Sequence, residues 1–214
     1  MFTHPFVVGL GAGDLSVERF QYFVAQDAVY LHDFSKVLAL GAARAEPRTD
    51  EAMFLRHAST VHVVEQALHA ELAPQLGLQA TDLGNTVPGP VTVAYTDRLM
   101  RAAWTDVPLV LVAAVLPCYW IYRDVGRHLA LQPPAHALYQ AWIETYAGAE
   151  YGQAVEEILN LAERWLAAAP DPVVRQAARA FWLSTRYEWW FWEQAWRLGR
   201  LRDLTPLPDE PVFA

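Results

Sequence analysis

The chain of 214 residues contains only one cysteine, Cys118, and this scarcity excludes several kinds of site. A lone thiol cannot close an intramolecular disulfide and cannot supply a metal site that needs several cysteines. Cys118 is therefore either an inert, buried side chain or a reactive nucleophile. The single cysteine, together with an N-terminus that lacks the features of a secretion signal, predicts a protein of the reducing cytoplasm.

Charge is also limited, and it is mostly negative. Charged residues make up 19% of the chain, and the net charge is -8, which argues against a nucleic-acid or anionic-membrane surface as partner. The uncharged run from Val107 to Tyr122 is interrupted by Pro108 and Pro117, and it is shorter than the roughly 20 apolar residues that a membrane span needs. We therefore expect a buried helix there, no membrane span and no nucleic-acid partner.

The alternation of apolar and polar residues that is typical of strands is absent. Gly and Pro fall mostly between segments of helical periodicity, which predicts an all-α bundle formed by one domain, residues 1–214. The glycines at positions 9, 11 and 13 predict an N-terminal loop. The predicted helices cover residues 16–45, 49–76, 91–104, 108–130, 135–146, 148–168 and 170–198, with a loop over 79–90 and a surface tail over 203–214.

Aromatic residues are abundant, at 13% of the chain with nine Trp. Large aromatic side chains fill wide gaps between helices, and they also line pockets for flat ligands. On the helix that contains Cys118, Val115 and Tyr122 lie three residues before and four after the thiol, so all three share one face. This face combines a thiol with an aromatic ring, which favours the nucleophile over the inert side chain.

Two acidic residues lie among aromatic residues on separate predicted helices. Asp27 is surrounded by Phe23, Tyr30 and Phe34 at helical spacing, where a carboxylate is either ion-paired or binds a donor group of a ligand. Glu188 lies in the segment STRYEWWFWEQAW, where apolar surroundings would raise its pKa towards the range of a general acid or base. A salt link or a solvated helix face remains the alternative for Glu188.

Three histidines on one predicted helix raise the question of a metal site. His57, His62 and His69 share this helix with Glu65, but a di-metal bundle needs two Glu-x-x-His repeats on separate helices, and the chain has none. We therefore expect no metal and no cofactor, and we expect these histidines to lie on the helix surface or to form hydrogen bonds in the core. No GxGxxG motif or phosphate-binding loop is present.

Several segments together resemble the TenA/thiaminase II family in order and spacing. They are HPFVVGLGAGDLSVERFQYFVAQDAVYL, VEQALHAEL, LPCYWIYRDVG, YQAWIETYAG and YEWWFWEQAW. The combination of QD-x-x-YL, LPCYW-x-Y and YE-x-x-FW is specific, and the resemblance covers residues 3–200. It implies a heme-oxygenase-like helical fold, a homotetramer, and hydrolysis of an aminomethyl-pyrimidine, or of thiamin, in thiamin salvage.

The resemblance also implies roles for individual residues. Cys118 matches the nucleophile of the cysteine-containing branch, Glu188 the acid/base, and Asp27 the acid that holds the aminopyrimidine edge. Tyr30 and Tyr122 match the rings that sandwich the pyrimidine. Further pocket positions are matched by His69, Tyr95, Tyr146 and Phe191. From the residues alone, Tyr95 and Tyr146 read as ordinary boundary positions of amphipathic helices.

The chemistry of these side chains suits the implied reaction. Protonation of a ring nitrogen activates the pyrimidine towards a thiolate, the adduct expels the amine, and water adds to the exocyclic methylene. Two alternatives remain: a cofactor-free oxidase on the same fold, against which Cys118 argues, and a non-catalytic binding or regulatory protein, which would not need Cys118 and Glu188. Family members commonly have a longer segment before HPF. We therefore expect either that part of the bundle is uncovered or that the subunits pack differently, and in neither case the loss of a matched site residue.

Overall fold

A computed structural model describes residues 1–78 and 83–200, except for the side chains of residues 64–72. Eight α-helices make up most of these residues, and no strand occurs among them, which confirms the predicted all-α fold. The helices are α1 (Pro5–Ala12), α2 (Val17–Arg44), α3 (Arg48–Gln75), α4 (Pro90–Thr105), α5 (Pro108–Ala130), α6 (Ala137–Ala147), α7 (Ala149–Ala168) and α8 (Asp171–Trp196). The predicted tail, residues 203–214, lies outside the described residues.

The N-terminal segment differs from the prediction, because the glycines expected to form a loop lie in and after α1. The Nδ1 atom of His4 accepts a hydrogen bond from the backbone N–H of Phe6 at 3.1 Å and so caps the helix. Gly11 allows close packing, since a Cβ atom there would lie 2.7 Å from Cδ2 of Leu129. Gly13 ends α1 with a φ of 79°, in the left-handed region. Tertiary packing thus overrides the low helix propensity of glycine here.

Helix α5 lies at the centre of the bundle, in contact with α6, α7 and α8. It is long and apolar enough to cross a membrane, but 78% of its most apolar 18-residue window is buried inside the protein. Pro108 occupies the first turn, where the missing backbone N–H has no helical partner in any case. The apolar composition of α5 is explained by this central position, which places Cys118 in the interior.

Two buried glutamines fix the start of α4 against its neighbours. The side-chain oxygen of Gln26 accepts hydrogen bonds from the backbone N–H of Gly89 at 2.8 Å and from the hydroxyl of Thr92 at 2.7 Å. The side-chain oxygen of Gln194 accepts a hydrogen bond from the N–H of Val91 at 2.9 Å. These contacts satisfy N–H groups at the helix start, which no residue within the helix can pair. They also join α2, α4 and α8, three helices that carry candidate site residues.

Polar contacts at two places join α3 to α7. Asp50 is 2% exposed and accepts hydrogen bonds from Nη2 of Arg164 at 2.8 Å and from Nε1 of Trp165 at 3.2 Å. About two helical turns further along α3, Nη2 of Arg56 contacts Oε2 of Glu157 at 2.6 Å. Of these contacts, only the one between Arg56 and Glu157 lies at the wall of the cavity described next.

Candidate active site

A cavity of about 280 Å³ lies among helices α2, α3, α5, α6 and α7. Its size suits a small, flat ligand rather than a macromolecule. Its walls are formed by Asp27, Leu31 and Phe34 of α2; Arg56, His57, Thr60 and Val61 of α3; Cys118, Tyr119 and Tyr122 of α5; Thr145 and Tyr146 of α6; and Glu150, Tyr151, Gln153, Ala154 and Glu157 of α7.

Four of the residues predicted from the sequence line this cavity directly: Asp27, Cys118, Tyr122 and Tyr146. Four others are buried and do not belong to the lining: Tyr30, Tyr95, Glu188 and Phe191. The remaining predicted residue, His69, has a side chain that lies outside the described residues. We refer to the first two groups together as the inner wall.

The thiol of Cys118 is held in its protonated form. Burial raises the pKa of Cys118 well above its ordinary value, and the negative charge of Glu188 adds to this effect. The nearby hydroxyl of Tyr30 opposes the shift, although it forms no hydrogen bond of regular geometry with any residue that the structure describes. The hydroxyl of Tyr151 donates a hydrogen bond to the backbone carbonyl of Cys118 at 3.2 Å. The thiol must therefore lose its proton in concert with the chemistry that uses it.

Glu188 is 2% exposed and is not part of the cavity lining, but it interacts electrostatically with the lining residues Cys118 and Asp27. Burial raises its pKa to about 8, the charge of Asp27 acts in the same direction, and a hydrogen bond from Tyr95 opposes them. This bond joins the hydroxyl of Tyr95 to Oε1 of Glu188 at 2.6 Å. The rise predicted from the apolar surroundings of Glu188 is confirmed. At neutral pH the side chain is mainly a carboxylic acid, which can donate a proton.

Aromatic rings support both of these groups. The ring of Tyr30 lies with its centroid 5.0 Å from that of Tyr95 and 5.7 Å from that of Phe191. On the opposite side, the rings of Tyr122 and Tyr146 are 4.9 Å apart, and both face the cavity. The ring of Tyr30, predicted to sandwich the ligand together with Tyr122, packs beside Tyr95 and does not belong to the cavity lining, and its role remains a prediction. The cavity thus has aromatic surface suited to stacking against a flat ring.

A second group of polar side chains lies at the outer end of the cavity, and we call it the outer cluster: Arg56, His57, Tyr119, Gln153 and Glu157. The Nδ1 atom of His57 lies 3.1 Å from the hydroxyl of Tyr119, and its Nε2 atom lies 2.8 Å from Oε2 of Glu157. The hydrogen-bonded core position foreseen for the histidines is confirmed for His57, which is 4% exposed.

The charges of the outer cluster are fixed by its partners. Burial opposes the ionisation of Glu157, but hydrogen bonds from His57, Arg56 and Gln153 outweigh it and lower the pKa of Glu157 to about 2. Burial lowers the pKa of His57, and its contact with Glu157 opposes this shift. At neutral pH this end of the cavity therefore holds a permanent carboxylate beside a neutral imidazole.

The sequence gives little sign of the outer cluster. Tyr119 follows Cys118 directly, but on a helix the neighbouring residue points about 100° away, so proximity in sequence did not place it in the cavity. Glu157 is one of several acids on the amphipathic helix α7, and nothing in its local sequence separates it from solvated ones. In the part of the chain that the structure describes, no three His, Cys, Asp or Glu side chains are grouped as a metal site would require.

Residues 1–198 match the model of the TENA/THI-4/PQQC family. The chain is 37% identical over 196 residues to a protein of Bacillus subtilis (strain 168) named aminopyrimidine aminohydrolase, and the match covers 92% of this chain and 83% of that protein.

Two solved structures share the fold of this chain. The TenA homologue from P. horikoshii OT3 superimposes with a TM-score of 0.84 at 29% identity, covering 92% of this chain and 91% of the other. A domain of unknown function with a heme oxygenase-like fold from Shewanella denitrificans OS217 matches with a TM-score of 0.74 at 13% identity, over 93% of this chain and 86% of the other. The heme-oxygenase-like fold that the sequence resemblance implies is confirmed.

Proposed function

The chain belongs to the TENA/THI-4/PQQC family, and from this premise we propose that it is an aminopyrimidine aminohydrolase of thiamin salvage. The reaction would convert an aminomethyl-pyrimidine into the hydroxymethyl-pyrimidine, with thiamin as a possible second substrate. One arrangement supports this proposal: Cys118 and Asp27 line a small aromatic cavity, and the buried, protonated Glu188 interacts electrostatically with both of them.

In the proposed reaction, Glu188 donates its proton to a ring nitrogen of the pyrimidine while the sulfur of Cys118 attacks the adjacent ring carbon. The resulting carboxylate of Glu188 can take up the thiol proton, so no free thiolate has to exist in the buried site. The exocyclic amino group of the adduct supplies the electron pair that expels the amine from the neighbouring methylene carbon, and the amine, protonated at neutral pH, departs with the electron pair of the broken bond as neutral ammonia. Water then adds to this carbon, and departure of the sulfur restores the aromatic ring.

Binding of the pyrimidine is assigned to the other inner-wall residues. We expect Asp27 to accept hydrogen bonds from the amino-pyrimidine edge, because a carboxylate suits an amidine-like group. Tyr122 and Tyr146 offer ring surface at the cavity, and Tyr30, Tyr95 and Phe191 hold the layer behind it. Assignment to the cysteine-containing branch of the family rests on Cys118. The role of His69 is proposed from the sequence resemblance alone.

We further expect a cytoplasmic homotetramer that acts as one domain and binds neither nucleic acid nor membranes. The burial of α5 and the net charge of -8 support this expectation. The assembly is also supported by exposed apolar side chains, which contacts between subunits could cover. They include Trp104 at 67%, Val63 at 60% and Phe2 at 47% exposed. Sedimentation at micromolar concentration should give four copies, and a monomer would contradict the expectation.

The function is tested by incubating the protein separately with the aminomethyl-pyrimidine and with thiamin, and by measuring the release of each amine and the formation of the hydroxymethyl-pyrimidine. We expect hydrolysis of at least one of the two substrates. The ratio of their kcat/KM values identifies the preferred substrate. A protein that binds both compounds and hydrolyses neither would show that the non-catalytic alternative is correct.

A further inference from the structure

The outer cluster contains a chain of hydrogen bonds whose direction follows from its charges. Glu157 is ionised and can only accept, so the Nε2 atom of His57 carries the hydrogen that it donates to Oε2 of Glu157. In the neutral ring the Nδ1 atom of His57 is then an acceptor. The hydroxyl of Tyr119 must therefore donate its hydrogen to Nδ1 at 3.1 Å. The order is carboxylate, imidazole, hydroxyl, as in a serine hydrolase triad.

This chain ends at the cavity and not in the core. Tyr119 and His57 both line the cavity that contains Cys118 and Asp27. Because the hydroxyl hydrogen of Tyr119 is committed to His57, its oxygen keeps lone pairs that can accept a hydrogen bond from a water in the cavity. Burial raises the pKa of Tyr119 well above its ordinary value, so the phenol does not store a negative charge. Tyr119 can therefore give its proton to His57 only while its oxygen accepts a proton from another group.

We infer that Tyr119, His57 and Glu157 form a proton relay that activates the water in the second half of the reaction. The inference rests on the proposed function. As the oxygen of water bonds to the exocyclic methylene carbon, the electron pair of the carbon–carbon double bond returns to the ring. The water proton passes to the oxygen of Tyr119, the Tyr119 proton passes to Nδ1 of His57, and the imidazolium is stabilised by Glu157.

The first half of the proposed reaction explains why water needs a base other than Glu188. The carboxylate of Glu188 has by then taken up the thiol proton of Cys118, and a protonated carboxyl group cannot accept a proton from water. The outer cluster also reaches solvent, since the side chain of Glu157 is 28% exposed and that of Arg56 is 55% exposed. A proton on His57 can thus leave towards bulk water. Arg56 and Gln153 hold the carboxylate of Glu157 in the orientation that this step needs.

The test separates the two halves of the reaction in the variants Tyr119→Phe and His57→Gln. In the latter, the amide can accept from Tyr119 and donate to Glu157, so the contacts are kept while the proton acceptor is lost. Rapid-quench measurements with the aminomethyl-pyrimidine follow amine release and hydroxymethyl-pyrimidine formation separately. We expect product formation to fall by roughly 10²-fold in both variants. Amine release in the first turnover should stay within about twofold of wild type, which gives a burst equal to the enzyme concentration.

A nucleophile that needs no base should bypass the relay. Added azide should react with the methylene, restore turnover in both variants and give the azidomethyl product. A matched control is Asp50→Asn, which weakens the other contact between α3 and α7 and should lower the melting temperature without producing a burst. Amine release that falls in parallel with product formation would overturn the inference, as would wild-type product formation by His57→Gln.

If Tyr119→Phe does not fold, His57→Gln and Glu157→Gln give the same test, and we expect a smaller burst for Glu157→Gln because the imidazole remains. The proposed function fails in a different way. In that case the wild-type protein releases no amine, and the inference falls with it, whereas failure of the inference alone leaves wild-type hydrolysis intact.

Discussion

Glu188 of the inner wall and Glu157 of the outer cluster have opposite protonation states. Among the described residues, Glu188 has one hydrogen-bond partner, the phenol of Tyr95, and its pKa is raised to about 8. Glu157 has contacts with Arg56, His57 and Gln153, and its pKa is lowered to about 2. The same kind of side chain is therefore an acid in the inner wall and a permanent anion in the outer cluster.

The difference arises from the partners and not only from depth. Both carboxyl groups lose part of their hydration, which by itself favours the neutral form. At Glu157 a guanidinium group and two further donors compensate the loss, whereas at Glu188 a single neutral donor does not. An acid in the inner wall suits protonation of a pyrimidine ring, and an anion in the outer cluster suits stabilisation of an imidazolium ion.

The largest expected effect is at the thiol of the inner wall. Cys118→Ser should lower hydrolysis by roughly 10⁴-fold or more, because a hydroxyl of nearly the same size lacks the nucleophilicity of sulfur. Far-UV circular dichroism and thermal unfolding should match those of the wild type. Near wild-type turnover in this variant would make Cys118 a simple core residue.

The next effect tests the acid of the inner wall. Glu188→Gln should lower turnover by about 10²–10⁴-fold, since the amide keeps the shape but has no proton to donate. Calorimetry should show that the hydroxymethyl-pyrimidine still binds. A loss of binding as large as the loss of turnover would make Glu188 a recognition residue instead.

The dependence of stability on pH gives a second test of Glu188. The pKa of Glu188 is raised from 4.5 to about 8 on folding, so the folded state holds a proton that the unfolded chain releases. Wild-type stability should therefore fall as the pH rises from 4.5 through 8, by on the order of a few kcal/mol. Denaturant unfolding of Glu188→Gln should lack this fall. Parallel pH curves for the two proteins would show that the carboxyl group is ionised in the folded state.

Asp27 provides a test of binding at the inner wall. Asp27→Asn should weaken binding of the hydroxymethyl-pyrimidine by about 1.5–3 kcal/mol, the scale of a hydrogen bond to a charged group. We expect little change in melting temperature, because the neutral amide is easier to bury. Unchanged affinity, measured by calorimetry together with a large fall in melting temperature, would identify Asp27 as a structural partner in the core.

The smallest effect on stability is expected at Glu157 of the outer cluster, and its dependence on pH has the opposite sign to that at Glu188. The pKa of Glu157 is lowered from 4.5 to about 2, so its contribution is complete above pH 4.5 and is lost as the pH falls towards 2. At neutral pH Glu157→Gln should cost about 1 kcal/mol or less, because the carboxyl group is partly exposed. Unfolding curves of the variant and the wild type should converge in acid. A constant difference between pH 3 and 7 would show that packing, and not charge, accounts for the loss.

Much of the inner wall could be foreseen from local patterns. Cys118 and Tyr122 share a face because they are four residues apart on one helix, and the aromatic surroundings of Glu188 indicate a raised pKa before any packing is known. Helix α1 was not predicted, because the local sequence pattern there indicated a loop and not a helix. Three glycines at alternate positions, 9, 11 and 13, predict a loop, and only the packing against Leu129 explains why position 11 of a helix is a glycine.

The sequence by itself determined helices α2 to α8 but not α1, because the period of apolar residues and the positions of Gly and Pro act over a few neighbouring residues. It also determined which thiol and which acids lie among aromatic side chains. Only the tertiary structure decided that Glu188 and Tyr30 are not part of the cavity lining, and that His57 joins Tyr119 to Glu157. These contacts span 62 and 100 residues of chain. Hydrogen-bond direction and pKa values depend on groups brought together by packing, and no local periodicity encodes that packing.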